Sequence, residues 1–79
     1  MTKDKIAHDA LRKLRYFYDH KILIHFKDFN DIFYNGEIIN LNEETLSMVF
    51  KERVRGTIPF LLEDVNPDSI FIFKEGIGK

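Results

Sequence analysis

Leu14-Arg15-Tyr16-Phe17-Tyr18-Asp19-His20-Lys21-Ile22-Leu23-Ile24-His25-Phe26-Lys27 is the stretch on which the fold turns, because the rhythm of its apolar residues changes within it. Upstream, Ile6, Ala7, Ala10, Leu11, Leu14 and Phe17 recur at helical spacing and gather on one half of a helical wheel. Lys5, His8, Asp9, Arg12, Lys13, Arg15 and Tyr16 occupy the other half. The pattern predicts an amphipathic helix over about 4–18, with Thr2 as its N-cap and Asp4 in the first turn, where the helix dipole favours a carboxylate. From Lys21 onward the period is two. Ile22, Ile24 and Phe26 alternate with Lys21, Leu23, His25 and Lys27, the pattern of a half-buried strand.

Working outward from that switch, Asp28 to Asp31 is a turn rich in Asp and Asn. A second strand is predicted over about 32–41, with Gly36 marking a bend or bulge. Asn42, Glu43 and Glu44 turn the chain into a third strand, which sets Leu46, Met48 and Phe50 on one face and Ser47 and Val49 on the other. A charged turn from Lys51 to Gly56 leads to a fourth strand in which Ile58, Phe60 and Leu62 alternate; Pro59, lacking an amide hydrogen, is expected on an unpaired side or a bulge. Val65-Asn66-Pro67-Asp68 is a turn, Ile70 to Phe73 a short apolar fifth strand, and 75–79 a polar tail. Phe33 and Ile39 point opposite to Tyr34 and Ile38, so both faces of the second strand are apolar, as expected of a surface covered by the helix or another subunit.

Seventy-nine residues suit one small domain spanning 1–79. Hydrophobic residues make up 44% of the chain and include eight Phe, enough for one dense core. The absence of cysteine excludes disulfides, thiolate zinc sites and a cysteine nucleophile, and fits a reducing, cytoplasmic setting. Charges among the first twenty residues leave no signal peptide, and no run reaches the ~20 apolar residues of a membrane span. The net charge of -1 conceals an asymmetry. Residues 1–27 carry seven Lys/Arg against three Asp, a balance of +4, while 28–79 carry five Lys/Arg against ten Asp/Glu, a balance of -5. A polyanion would prefer the N-terminal part.

Five short strands with short turns are expected to close or to pair with a partner, since open edges invite edge-to-edge association. One helix followed by five antiparallel strands, bent at a glycine in the second, resembles the Sm/LSm family over nearly the whole chain. Tyr34-x-Gly36-x-Ile38-x-x-Leu41-Asn42 fits four of the five marked positions of the first Sm motif, with Asn42 standing for its Asp. Val65-Asn66-Pro67-Asp68-Ser69-Ile70 matches both aliphatic ends of the second motif and replaces its central Arg-Gly. Thr45 and Leu46, or Glu44 and Thr45 if the turn is one residue shorter, stand where the family places Met-Asn. The resemblance implies a mainly β fold, an N-terminal α-helix followed by a five-stranded, strongly bent antiparallel barrel over about 21–74. It also implies assembly into a homo-oligomer, the fourth strand of one subunit pairing with the fifth of the next. Ile58, Phe60, Leu62, Ile70, Phe71, Ile72 and Phe73 are then the candidate interface.

RNA is the partner the family implies, and Asn42, Thr45 and Asn66 occupy the positions nearest its base pocket. Losing the arginine removes the cationic plane that stacks on uracil, Pro67 removes a backbone donor, and Glu43 and Glu44 oppose phosphate. The basic stripe Lys5, Arg12 and Arg15, with Lys13 beside it, is the remaining nucleic-acid feature. Against it, Asp9 precedes Lys13 by four residues and Asp4 sits close to His8, so internal pairing accounts for part of the pattern. Tyr16, Tyr18, Tyr34, Phe29 and Phe33 could stack on bases if exposed, core or subunit packing being the commoner fate of such residues. Arg53, Arg55 and Gly56 form a turn with two solvated arginines.

No catalytic residue, metal site, cofactor or small-molecule substrate is expected. His8, His20 and His25 are scattered, Ser47 and Ser69 lack an evident base, the acids fall mostly in solvated turns, and the four glycines form no phosphate loop. The expected function is an Sm-like oligomeric module in RNA metabolism with weak nucleic-acid binding through the helix face. The competing reading is a protein-interaction barrel that has lost the base pocket. A cyclic-di-GMP sensor similar to the PilZ family is a third reading, suggested by residues 36–43, but the serine and glycine that follow the asparagine in that family are here Glu44 and Thr45.

Overall fold

A computed structural model describes residues 2–73. The expected helix is α1, Lys3–Asp19, and Thr2 caps it by accepting the Lys5 amide at 3.2 Å. Five strands follow: β1 Ile24–Lys27, β2 Phe33–Asn42, β3 Ser47–Glu52, β4 Gly56–Leu61 and β5 Phe71–Ile72. All are antiparallel to their neighbours in one sheet ordered β4-β3-β2-β1-β5. Two 3-10 turns, Leu62–Asp64 and Pro67–Ser69, carry the chain from one edge of the sheet to the other. The expected tail at 75–79 and the barrel's final residue, Lys74, lie outside the described residues.

Closure of the barrel is not seen, and the expectation is corrected to an open sheet: β4 and β5 form its two ends, with no ladder between them among the described residues. The sheet is nevertheless strongly curled. β1 and β4 are three strand spacings apart, about 14 Å in a flat sheet, yet the rings of Phe26 on β1 and Phe60 on β4 lie 5.3 Å apart. Phe26 also meets Phe50 on β3 and Tyr34 on β2 at 5.0 and 5.3 Å, so one ring receives contacts from three other strands. Ala7, Ala10 and Leu14 of α1 complete this core with Ile24, Ile38, Met48, Leu62, Val65 and Ile70. Burying each of the larger side chains is worth about 1.5–3 kcal/mol.

Gly36 is the one residue of β2 that pairs with both of that strand's neighbours. It ends the β1 pairing, opposite Ile24, and begins the β3 pairing, opposite Glu52. The reason for glycine is close approach of backbone: a Cβ there would sit 2.0 Å from the Lys51 carbonyl oxygen. The bulge itself falls at Ile39, where the β2–β3 register shifts. It switches the inward face of β2 from Gly36 and Ile38 to Leu41, which packs on the core, and leaves Ile39 exposed. This accounts for Ile39 among the apolar residues read on both faces; Phe33 lies before the bulge and is exposed on the outer face.

Strand limits also differ from expectation at the ends. Ile22 precedes β1, Leu62 opens a 3-10 turn instead of extending β4, and β5 keeps only two residues of the expected Ile70 to Phe73. Pro59 stands on an edge strand, where its missing donor is tolerated. The C-terminal segment is held to β1 by Ser69, whose buried hydroxyl accepts the Lys27 amide at 2.8 Å and donates to the Asn66 carbonyl at 2.7 Å. Ser69→Ala leaves that amide without its partner, and is expected to lower the unfolding free energy measured by urea titration by about 1–3 kcal/mol.

Candidate functional site

The four cations of the α1 stripe each face an acid. Asp9 is shared between Lys5 at 3.6 Å and Arg12 at 3.1 Å. Lys13 is not Asp9's partner, as the helical spacing suggested; it reaches Asp68 at 3.8 Å and donates to the Pro67 carbonyl at 2.8 Å. Arg15 pairs with Glu43 from the β2–β3 turn. Asp4 offers His8 its backbone carbonyl, 2.8 Å from Nδ1. Pairs this exposed are individually weak, about 0–1 kcal/mol. Together they spread alternating charge over the helix in place of a uniform basic face.

Asn42, Thr45 and Asn66 serve the turns they sit in. Asn42 Oδ1 accepts the amides of Glu44 and Thr45, and Thr45 Oγ1 lies 2.7 Å from Ser47 Oγ. Asn66 Oδ1 accepts the Asp68 amide at 3.0 Å, capping the second 3-10 turn. The side-chain oxygens of Asn42 and Asn66 are thereby committed to backbone amides, and the Thr45 hydroxyl to Ser47.

The expected interface residues divide. Leu62 and Ile70 are buried in the core, and the Phe60 ring packs on Phe26, Tyr34 and Phe50. Ile58 and Phe73 are half-buried, and Phe71 and Ile72 are exposed on β5. Leu61, at the end of β4, is also exposed. Both free edges of the sheet thus carry apolar side chains in contact with solvent.

Two groupings escaped the sequence reading. The first is Glu52, read as part of a solvated charged turn and in fact only 5% exposed. Its Oε2 accepts the Asn35 amide at 3.1 Å and its Oε1 the amides of Val54 and Arg55 at 2.9 and 2.7 Å. These bonds, the one from Arg55 foremost, hold its pKa below the ordinary glutamate value despite burial. Beside it, Tyr34 donates to Asp28 Oδ2 at 3.1 Å under the Arg55 guanidinium. Burial first, then this bond and the Asp28 charge, raise the phenol pKa. Both groups are fully engaged in tying turns to strands.

The second grouping lies on the outer face of the sheet, where Phe71 of β5, His25 of β1 and Phe33 of β2 stand side by side. His25 is 5.7 Å from Phe71 and 6.1 Å from Phe33, and the Lys27 ammonium is 5.4 Å from the Phe33 ring centre. No group of three or more His, Cys, Asp or Glu placed to hold a metal occurs among the described residues. No helix among them is long and apolar enough to cross a membrane.

No protein-family model, curated protein or solved structure matches the chain.

Proposed function

We propose that this chain is an Sm-like module that assembles with copies of itself by strand pairing, β4 of one chain against β5 of the next. The observation that carries the reading is the curled sheet whose two edges find no partner strand among the described residues, bearing exposed Leu61 on one and Phe71 and Ile72 on the other. Free backbone groups flanked by apolar side chains are a template for another strand. Pairing copies of one chain through two different edges is heterologous, so it builds a ring when the rotation closes. The helix-first order and the Tyr34-to-Asn42 motif support the Sm-like part of the reading.

RNA contact through the helix face draws less support, because every cation of the stripe already has an acidic neighbour. The scaffold reading is therefore the stronger of the two. Native mass spectrometry of protein purified without nuclease tests it. The expected spectrum shows multiples of the 9.4 kDa chain. Placing charges on both edges with Leu61→Lys and Ile72→Lys is expected to reduce these to monomer, since edge lysines block strand addition. A wild-type chain that stays monomeric at high concentration overturns the proposal.

A further inference from the structure

The outer-face aromatic group goes beyond the assembly reading and does not depend on it. Phe33 and Phe71 are 53% and 57% exposed, an unusual state for two phenylalanines on adjacent parts of one sheet. With His25 between them they span three neighbouring strands, with His25 and Phe33 within 13° of parallel. A cleft of 320 Å³ opens over them, lined also by Lys27, Asn66, Asp68 and Ser69. That volume is at the small end of ligand sites, which run from roughly 300 to 1,000 Å³.

The lining is chemically selective. Its large apolar side chains are the rings of Phe33 and Phe71, with no Val, Leu, Ile or Met in the lining. Flat π faces suit a planar ring better than the branched side chains of a peptide. Around the rings stand polar groups able to meet a heterocycle's edge. Asn66 commits its oxygen to Asp68, and its amide NH2 has no partner among the described residues. Lys27 supplies one cation, held over the Phe33 ring and paired at 3.5 Å among the described residues with Asp31, itself open to solvent, so a phosphate can displace that acid.

We propose that this shelf is a stacking site for one or two bases of single-stranded nucleic acid. Phe33 and Phe71 provide the platforms, His25 fills the space between them, Asn66 hydrogen-bonds a base edge, and Lys27 contacts one phosphate. Because Phe71 presents its side chain to the outer face, strand pairing through the β5 backbone leaves the shelf accessible.

Fluorescence anisotropy with a labelled oligouridylate at low salt tests the site on the full chain. Phe33→Ala and Phe71→Ala are each expected to weaken binding about 5- to 150-fold, the range for losing one base-stacking ring. Circular dichroism melts confirm that these surface variants fold. The salt dependence is a second readout. A single phosphate contact gives a slope of log affinity against log salt of about -0.7, whereas engagement of the four helix cations would give about -2.8. Lys27→Ala is expected to flatten the slope, and Arg12→Ala to leave it unchanged. Uridine monophosphate as competitor separates a strand site from a free-nucleotide site: displacement of the oligomer at equal concentrations of base argues against the strand. The proposal is overturned by absence of binding at low salt, by binding indifferent to both phenylalanine substitutions, or by a loss that follows the helix arginines. It is also overturned if Phe33→Ala changes the native mass while leaving anisotropy untouched, which would make the shelf a subunit contact.

Discussion

Gly36→Ala is expected to lower the melting temperature by about 12 to 24 °C, the largest effect of any single substitution considered for this chain. The added methyl would meet the Lys51 carbonyl oxygen at 2.0 Å and its carbon at 2.9 Å. Both atoms are backbone, fixed by the Glu37–Lys51 pair of the β2–β3 ladder, so no side chain can swing aside. Relief requires parting β2 from β3 where the sheet also ceases to pair with β1. Overpacking costs about 1–3 kcal/mol and occasionally more; with only backbone to meet, the upper figure of about 3 kcal/mol applies, and each kcal/mol moves the melting point of a domain this size by about 4–8 °C. A chain of this length holds only about 4–12 kcal/mol in total. A thermal melt followed by circular dichroism measures the shift, and a variant melting within a few degrees of wild type would refute the close-approach argument.

Glu52→Gln comes next, with an expected loss of about 2 kcal/mol near neutral pH. An ionised carboxylate accepts all three amides it faces, whereas a glutamine must turn its NH2 toward at least one of them. Bonds to a charged acceptor are worth about 1.5–3 kcal/mol each, and the variant keeps some of them in weakened form. The pH dependence follows from the direction of the shift. Because the folded pKa lies below the ordinary 4.5, folding favours the ionised form, and the stabilisation is present above that value. It is lost as pH falls through the lower folded value. Urea titrations across this window are expected to show the wild-type advantage shrinking toward acid, where the wild-type side chain is protonated as well. An advantage that stays constant with pH would assign the cost to packing alone.

The change of rhythm near position 20 was legible because it is a local property. Helical spacing carried α1 to within one residue at each end, and alternation placed Ile24, Phe26, Met48 and Phe50 inside. The same alternation, run two residues past Phe50, points Glu52 inward as well. That signal was present and was masked by the charges around it in Lys51 to Arg55. Gly36 announced a special position, but its cause, a carbonyl on the neighbouring strand, is invisible without register. Ile39 illustrates a further limit: a bulge inserts one residue into a period of two, and a two-faced apolar strand looks the same as a shifted one.

The candidate sites were less legible because they are made by distant pairings. The acids that neutralise Lys13 and Arg15, Asp68 and Glu43, lie 55 and 28 positions further along the chain. The aromatic shelf joins residues from β1, β2 and β5, and only the strand order β2-β1-β5 makes them neighbours. Edge strands were foreseeable in kind, since five short strands have two ends unless they close. Whether those ends meet depends on geometry that no local pattern encodes.

The register shift at Ile39 also bears on how this segment can change over generations. Ile39 is the residue the ladder does not count: without it Ile38, Asn40 and Leu41 would still stand opposite Phe50, Val49 and Met48 in unbroken alternation, so this position can be lost without turning Leu41 out to water. Descendants of this gene would be expected to vary in length by one residue at this point more readily than elsewhere in the strand, so a single gap there would be no mark of distance.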